Sequence, residues 1–254
     1  MDKNLISINI VAFNAERTLE KTLDSVFTQR DVAFEIVFVD DASTDSTRAI
    51  AEVYKQKHDV PFTILSNPAN LGITKSRNIA LKASTGSYIA VIDSDDNWTA
   101  PNKLAKQLAF LEQHEDCVVI GTQMNLVLDD GSLLKKTSFR TDDAGIRNQM
   151  LVFNQFCHSS ILMRNVGQTY DESLYIWEDH DMLLALGLKG TLANIDQPLV
   201  DYLYVPKKYS FAKKIKLIQT EFDIITRYKK KYPNFGLGYF KRVLKYILTL
   251  LHLK

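Results

Sequence analysis

Asp93-Ser94-Asp95-Asp96 directly follows a short apolar run, Tyr88-Ile89-Ala90-Val91-Ile92. Three carboxylates within four residues repel one another, and a fold tolerates that crowding where positive charge sits beside them. Hard divalent cations such as Mg²⁺ or Mn²⁺ take oxygen ligands and commonly keep substrate phosphate oxygens among them. At the carboxyl edge of a parallel sheet, an Asp-x-Asp strand end therefore reads as a site for a metal and a diphosphate. The same four residues alone also fit a solvated turn in which Asp93 or Asp95 caps the next segment.

The elements before this cluster place it at such an edge. Leu5 to Phe13 is a nearly continuous apolar run, which predicts a buried strand. Residues 15–29 carry Leu19, Leu23, Val26 and Phe27 at helical spacing. Glu35 to Asp40 is a second strand, and Asp45 can cap a helix carrying Ile50, Val53 and Tyr54. Phe62 to Leu65, a helix through 74–84 and the strand Tyr88 to Ile92 follow. Pro101 can open a helix that buries Leu104, Leu108 and Leu111. Alternating strands and helices predict βαβ units and a parallel sheet. After about residue 116 the pattern turns mixed. Cys117–Leu128 and Leu133–Thr137 flank Asp129-Asp130-Gly131-Ser132 as a hairpin, 156–163 reads as a strand and 178–188 as a helix.

The chain has 254 residues, 46% of them apolar and 24% charged, which fits one large domain or one domain plus an extension, with no need of disulfide staples. Cys117 and Cys157 lie in apolar runs and are expected to be buried, reduced thiols without a zinc site. Met1-Asp2-Lys3-Asn4 has no basic n-region or apolar h-region, so no secretory signal is expected, and no stretch is long and apolar enough to span a bilayer. The net charge of +1 hides an asymmetry: residues 207–254 hold thirteen Lys/Arg against two acidic residues. A basic tail on an acidic body suits an anionic partner. A helix from Tyr239 would put Lys241, Arg242, Lys245, Thr249 and His252 on one face, opposite Phe240, Val243, Leu244, Ile247, Leu248 and Leu251. That pattern predicts a basic amphipathic helix lying on a membrane surface, or one whose apolar face packs on protein.

The first strand carries no Gly-x-Gly-x-x-Gly, and the chain has no Gly-x-x-x-x-Gly-Lys-Ser/Thr, which argues against a dehydrogenase-type dinucleotide site. Polar groups instead follow several strands: Val11-Ala12-Phe13-Asn14-Ala15-Glu16, Asp40-Asp41-Ala42-Ser43-Thr44-Asp45, Asn70-Leu71-Gly72 with Ser76-Arg77-Asn78, and the Asp93–Asp96 cluster. Side chains at such strand ends converge on one crevice. With Cys157-His158-Ser159-Ser160 and Glu178-Asp179-His180-Asp181 further on, this order over residues 4–205 resembles the inverting family 2 glycosyltransferases of GT-A fold.

The resemblance implies an α/β domain over 1–205. Its half 1–115 would be a mostly parallel nucleotide-sugar-binding sheet, its half 116–205 a mixed acceptor and catalytic-base half, and 206–254 a basic amphipathic helical extension. It implies that Asp41 accepts hydrogen bonds from the base and that Ala12, Phe13, Asn14 and Glu16 belong to the segment cradling base and ribose. Arg77 would lie near base or diphosphate, Asp93 at the ribose beside Ser94, and Asp95 on Mn²⁺ or Mg²⁺ with Asp96 in support. Asp179 would be the catalytic base. Glu178 is expected to position it, or a helix N-terminus, rather than do chemistry itself. His158 reads equally as a core histidine or a site residue, and Trp177 as core packing or an acceptor platform. Met182-Leu183-Leu184-Ala185 stands where relatives often carry an aromatic residue and an Arg, so that Arg's contact is absent or replaced.

The implied activity is a metal-dependent, inverting transfer of a sugar from a nucleotide-diphosphate donor, expected to be a UDP-sugar, to a glycan or lipid-linked acceptor. The expected setting is bacterial surface polysaccharide or lipopolysaccharide synthesis at the cytoplasmic membrane face. The partners are then donor, acceptor and an anionic membrane surface, with no nucleic acid, while a homo-oligomer stays open. The rivals are a membrane-associated scaffold with a degenerate domain and a sugar nucleotidyltransferase. The latter would want a Gly-rich basic loop after the first strand.

Overall fold

The computed structural model describes residues 4–174, 176–206 and 209–251. Met1, Asp2, Lys3 and His252 lie outside the described residues, so the N-terminal reading and the place of His252 on the basic face have no structural counterpart.

Four parallel strands form the first half of the sheet: β1 (Ile6–Ala12), β2 (Phe34–Asp40), β3 (Phe62–Ser66) and β4 (Tyr88–Val91). They are linked by α1 (Leu19–Phe27), α2 (Thr47–Lys57) and α3 (Ile73–Ala83). Every residue of β1 is buried, as a strand with neighbours on both sides and helices on both faces requires. Its register sets Ala12 opposite Asp40, so the loops after β1 and β2 leave from one edge. The order β3-β2-β1-β4 reverses direction between β1 and β4, which makes that point the crevice of the sheet.

Next come β5 (Asn97–Trp98), α4 (Lys103–Gln113), β6 (Cys117–Val127), β7 (Leu133–Lys136), α5 (Asp143–Met150) and β8 (Leu162–Arg164). After them lie α6 (Glu178–Leu186), β9 (Thr191–Leu203), α7 (Phe211–Arg227) and α8 (Phe235–Leu251). β8 pairs antiparallel with both β4 and β6, and so joins the parallel half to the mixed half. The hairpin expected after Cys117 is present as β6 and β7. Both cysteines are buried and free.

The strand expected over 156–163 is a correction. His158–Ser160 is a single 3-10 turn, and only Leu162–Arg164 joins the sheet. Ser160 Oγ donates to the carbonyl of Cys157 at 2.7 Å, a local bond that competes with ladder pairing.

Two apolar clusters flank the sheet. One holds Leu19, Leu23 and Val26 of α1 with Leu104, Leu108 and Leu111 of α4. The other joins Met182, Leu183, Leu184 and Leu186 of α6 to Ile224 and Ile225 of α7 and to Tyr228 and Tyr232 beyond it. Packing is therefore continuous across residue 205.

The C-terminal helix forms as expected, but its inner and outer faces are the reverse of a helix that hides its apolar side. Arg242 is 5% exposed, whereas Phe240 is 63%, Leu244 46%, Leu248 47% and Leu251 59% exposed. The inward turn has a specific cause: the Arg242 guanidinium meets backbone carbonyls at the end of α5 and Glu221 of α7. Among the described residues, no helix is long and apolar enough to cross a membrane.

Candidate functional site

A cavity of about 1240 Å³ opens at the carboxyl ends of β1, β2 and β4. Ligand pockets commonly run to ~300–1,000 Å³, so it is roomy for one bound molecule and part of a second. Of the residues singled out in sequence, Phe13, Asn14, Asp41, Arg77, Asp93, Ser94, Asp95 and Glu178 line it.

Asn14 is left-handed (φ 51°), a conformation that Asn adopts more readily than most residues. Its Oδ1 accepts from the Thr44 amide at 2.9 Å, and its own amide donates to Ser43 Oγ at 3.0 Å. Glu16 repeats the stitch outside the cavity, accepting from the Ser46 amide at 3.0 Å. Asp40 accepts from the Ser43 amide at 3.1 Å and holds its own turn. Asp41 is 2% exposed. Its carboxylate accepts from Asn67 Nδ2 at 2.7 Å and from the amides of Leu71 and Gly72 at 2.8 and 2.9 Å. A carboxylate offers about four acceptor sites, so three are spent on shaping the 67–72 turn.

Arg77 of α3 joins the two halves. Nη2 donates to Asp93 Oδ1 at 2.6 Å and Nη1 to Glu178 Oε1 at 2.5 Å, with the guanidinium over the Tyr170 ring. Burial opposes its charge, but Asp93, Tyr170 and Glu178 outweigh that and hold it protonated. Burial pushes Glu178 up to about 7, against the pull of Arg77.

The three acidic residues of the cluster part ways. Asp95 is exposed on the cavity wall. Asp93 leans to Arg77, and its amide donates to Ser159 Oγ at 3.0 Å. Asp96 is fully buried behind them. It accepts from Ser159 Oγ and, at 3.0 Å, from the Leu203 amide of β9. Burial and the negative field of Asp93 and Asp95 raise its pKa well above the usual range. Ser159 thus ties the cluster to the 3-10 turn.

Among the described residues, no three His, Cys, Asp or Glu side chains converge as a self-sufficient metal site. The donor set nonetheless fits a cation shared with a ligand. Asp95 presents a carboxylate on the wall, two residues from Asp93, which also lines the cavity. Mg²⁺-type ions are commonly held by one or two carboxylates plus substrate phosphates.

Five of the sequence-selected residues lie outside the lining and brace it. Ala12 is core, 1% exposed. Glu16 and Asp96 act as described. His158 is buried, its Nε2 3.0 Å from the Tyr170 hydroxyl, and burial with Arg77 nearby pulls it down to about 4. Trp177 has a left-handed backbone (φ 64°) and sits under Lys245 rather than facing the cavity.

Asp179, partly exposed in the first turn of α6, also lies beside the lining rather than in it, and accepts from Asn154 Nδ2 at 3.3 Å. Of its neighbours, Glu178 is committed to Arg77, and Asp181 accepts from Arg227 at 2.8 Å. Sequence reasoning missed the far wall: Asp129 and Asp130 at the hairpin tip, Tyr202 and Tyr204 on and just past β9, and Tyr209 and Lys213 before and on α7. The two-residue spacing of Tyr202 and Tyr204 was the available signal, since alternate strand residues share a face.

A parallel half-sheet continued by a mixed set of strands, with an acidic cluster after its fourth strand, defines a GT-A glycosyltransferase fold. TarS of Staphylococcus aureus, solved with UDP-GlcNAc, matches with a TM-score of 0.68 at 21% identity, over 87% of this chain and 66% of that one. The mannosyltransferase PcManGT of Pyrobaculum calidifontis, solved with GDP-Man and Mn²⁺, matches with a TM-score of 0.66 at 19% identity, over 94% and 69%.

Residues 7–165 match the family described as Glycosyl transferase family 2, and the chain belongs to it. Its relatives include TuaG of Bacillus subtilis, a protein assigned as a teichuronic acid biosynthesis glycosyltransferase: 31% identical over 233 residues, 87% of this chain and 89% of TuaG. EpsE of the same organism, assigned as a glycosyltransferase, is 36% identical over 160 residues, 63% of this chain and 56% of EpsE.

Proposed function

We propose that this protein is a metal-dependent, inverting glycosyltransferase. It would move a sugar from a UDP-sugar to a hydroxyl of a bacterial surface glycan or its lipid-linked precursor. One observation carries the reading: Arg77 bridges Asp93 of the parallel half to Glu178 of the mixed half, at the wall that also presents Asp95. The assignment of TuaG to teichuronic acid biosynthesis and the UDP-GlcNAc in TarS support the substrate class.

A divalent cation held by Asp95 and donor phosphate oxygens would stabilise the charge that develops on the leaving diphosphate. The loops after β1 and β2, stitched by Asn14, suit the base and ribose, and the remaining acceptor site of Asp41 suits a base N–H. Asp93, oriented by Arg77, suits a ribose hydroxyl beside Ser94. Asp179 is the carboxylate of the 178–181 group without a salt bridge among the described residues. It takes the proton from the acceptor hydroxyl as that oxygen attacks the anomeric carbon, a role worth ~10²–10⁴-fold. One displacement on the face opposite the leaving group inverts the centre. The outward apolar face of α8, among lysines, is read as a contact for anionic membrane, which would bring the cavity to a lipid-linked acceptor.

The test is UDP or GDP release from a panel of nucleotide sugars, with Mn²⁺ and with EDTA, in the presence of membrane extracts as acceptor. Metal-dependent release from one donor is expected. No release from any donor, with the protein folded, would favour the scaffold reading.

A further inference from the structure

We infer that α8 positions the proposed base, Asp179, with Arg242 as the residue that does so; the inference rests on the function proposed above. The last carbonyls of a helix such as α5 have no partner within it. Side chains from two other helices take them. His180 Nε2 lies 2.8 Å from the Met150 carbonyl. Arg242 Nη1 donates to the carbonyls of Leu151 and Val152 at 2.8 and 3.2 Å. Gly238, one turn before Arg242, lets α8 come this close: a Cβ there would lie 2.1 Å from the Leu151 oxygen. Glu221 of α7 supplies countercharge, 3.5 Å from Arg242 Nε.

The pinned segment runs directly into the site. Two residues past Val152, Asn154 donates to Asp179 Oδ2 at 3.3 Å. On the other side of Asp179, Trp177 holds its left-handed backbone with Lys245 of α8 over its ring, 5.9 Å from the centroid. Such a conformation in a bulky residue is costly and persists only where the surroundings impose it. Both chain segments that set the place of Asp179 are therefore in contact with one helix. Arg242 reaches Asp179 only through the 151–154 segment, so it is a positioning residue and not a catalytic one.

The experiment uses the full chain and the donor identified by the release assay. Arg242→Met, Arg242→Lys, Asn154→Ala and the double variant Asn154→Ala/Arg242→Met are compared for kcat, donor KM, Mn²⁺-dependent UDP affinity and Tm. Displacing a reacting group by about 1 Å costs ~10²-fold. Arg242→Met should therefore lose ~10- to 10²-fold in kcat with donor KM and UDP affinity within about twofold. Arg242→Lys, which keeps charge and one donor, should recover part of the loss. The double variant should be no worse than the more impaired single one, because both act along one path. Parallel loss of kcat and UDP affinity, or losses that multiply in the double variant, would overturn the inference. Should Arg242→Met fail to fold, Asn154→Ala and Arg242→Lys still decide the matter: unchanged kcat in both refutes it. An active Asp179→Asn enzyme would instead defeat the base assignment itself.

Discussion

Arg77 and Glu178 meet at 2.5 Å although 101 residues separate them, and their ion pair is one of the bonds between the two halves of the cavity wall. Both side chains are under 10% exposed. Removing one partner of a buried pair leaves an uncompensated charge and costs about 3–5 kcal/mol. Arg77→Met is therefore expected to lower Tm sharply and to abolish UDP binding, because Asp93 loses its orientation at the same time. Calorimetry and a thermal melt check this; a variant that binds UDP normally would remove Arg77 from the donor side.

Asp95→Asn separates binding from folding. The side chain is exposed, so Tm should stay within a few degrees. Mn²⁺-dependent enhancement of UDP affinity should vanish, read by titration with and without EDTA. Intact enhancement would exclude Asp95 as a metal ligand.

Asp179→Asn preserves shape and hydrogen bonding but takes no proton. Turnover should fall ~10²-fold or more, with donor affinity little changed. Steady-state kinetics on donor and acceptor read the split, and near-normal turnover would move the role to another carboxylate.

His180 tests an acid limb. Burial holds it down to about 4 against an ordinary value of 6.5. The unfolded chain therefore takes up a proton first, and this contribution to stability is complete above about pH 6.5 and lost as pH falls toward 4. His158 acts in the same sense. Glu178, pushed up to about 7, acts oppositely, losing stability as pH rises from about 4.5 to 7. Comparing wild type with His180→Gln cancels the common terms, and Gln can still donate to Met150. Wild type should lose more Tm than the variant between pH 7 and pH 4; equal losses would show that His180 does not stay neutral in the fold.

For α8, replacing outward residues tests membrane contact more cleanly than truncation, since α7 supplies core. Phe240→Ser/Leu248→Ser should weaken co-sedimentation with anionic vesicles without lowering Tm. Lys or Arg near such a leaflet contributes ~1 kcal/mol each and is screened by salt. Unchanged sedimentation, or no preference for anionic over zwitterionic vesicles, would leave the face to protein contact.

The parallel half was legible because each strand is largely apolar and is followed by polar residues, and Phe13, Asn14, Asp41, Arg77, Asp93, Ser94 and Asp95 meet at one cavity. The mixed half was less so. β9 carries Asp196, Gln197 and Pro198 in mid-strand and shifts register against β6, so no simple alternation marks it. α5 buries only Ile146 and Met150. Periodicity found the amphipathic helix α8 but not its sense, because the attraction of Arg242 for carbonyls on another element leaves no trace in spacing. Motif residues such as Glu16, Asp96 and His158 proved to brace the wall rather than form it, a distinction set by side-chain direction.

β8 ends at Arg164 and joins the halves by pairing with β4 and β6, yet the chain beyond it returns to the same sheet as β9. Before β8 lie the groups suited to reading the nucleotide; after it lie Asp179 and the helices around it. A hybrid joined just past β8 would exchange the Asp179 end of one relative for another's, and β9 with it. Many bonds would have to survive the graft, among them the parallel ladder of β9 with β6, the pairing of β9 with β5 and the ion pair of Arg77 with Glu178. A foreign segment lacking an acid at that position would leave the buried arginine with Asp93 but without its second carboxylate, so compatibility rests on this pair of charges as well as on the register of β9 against β6.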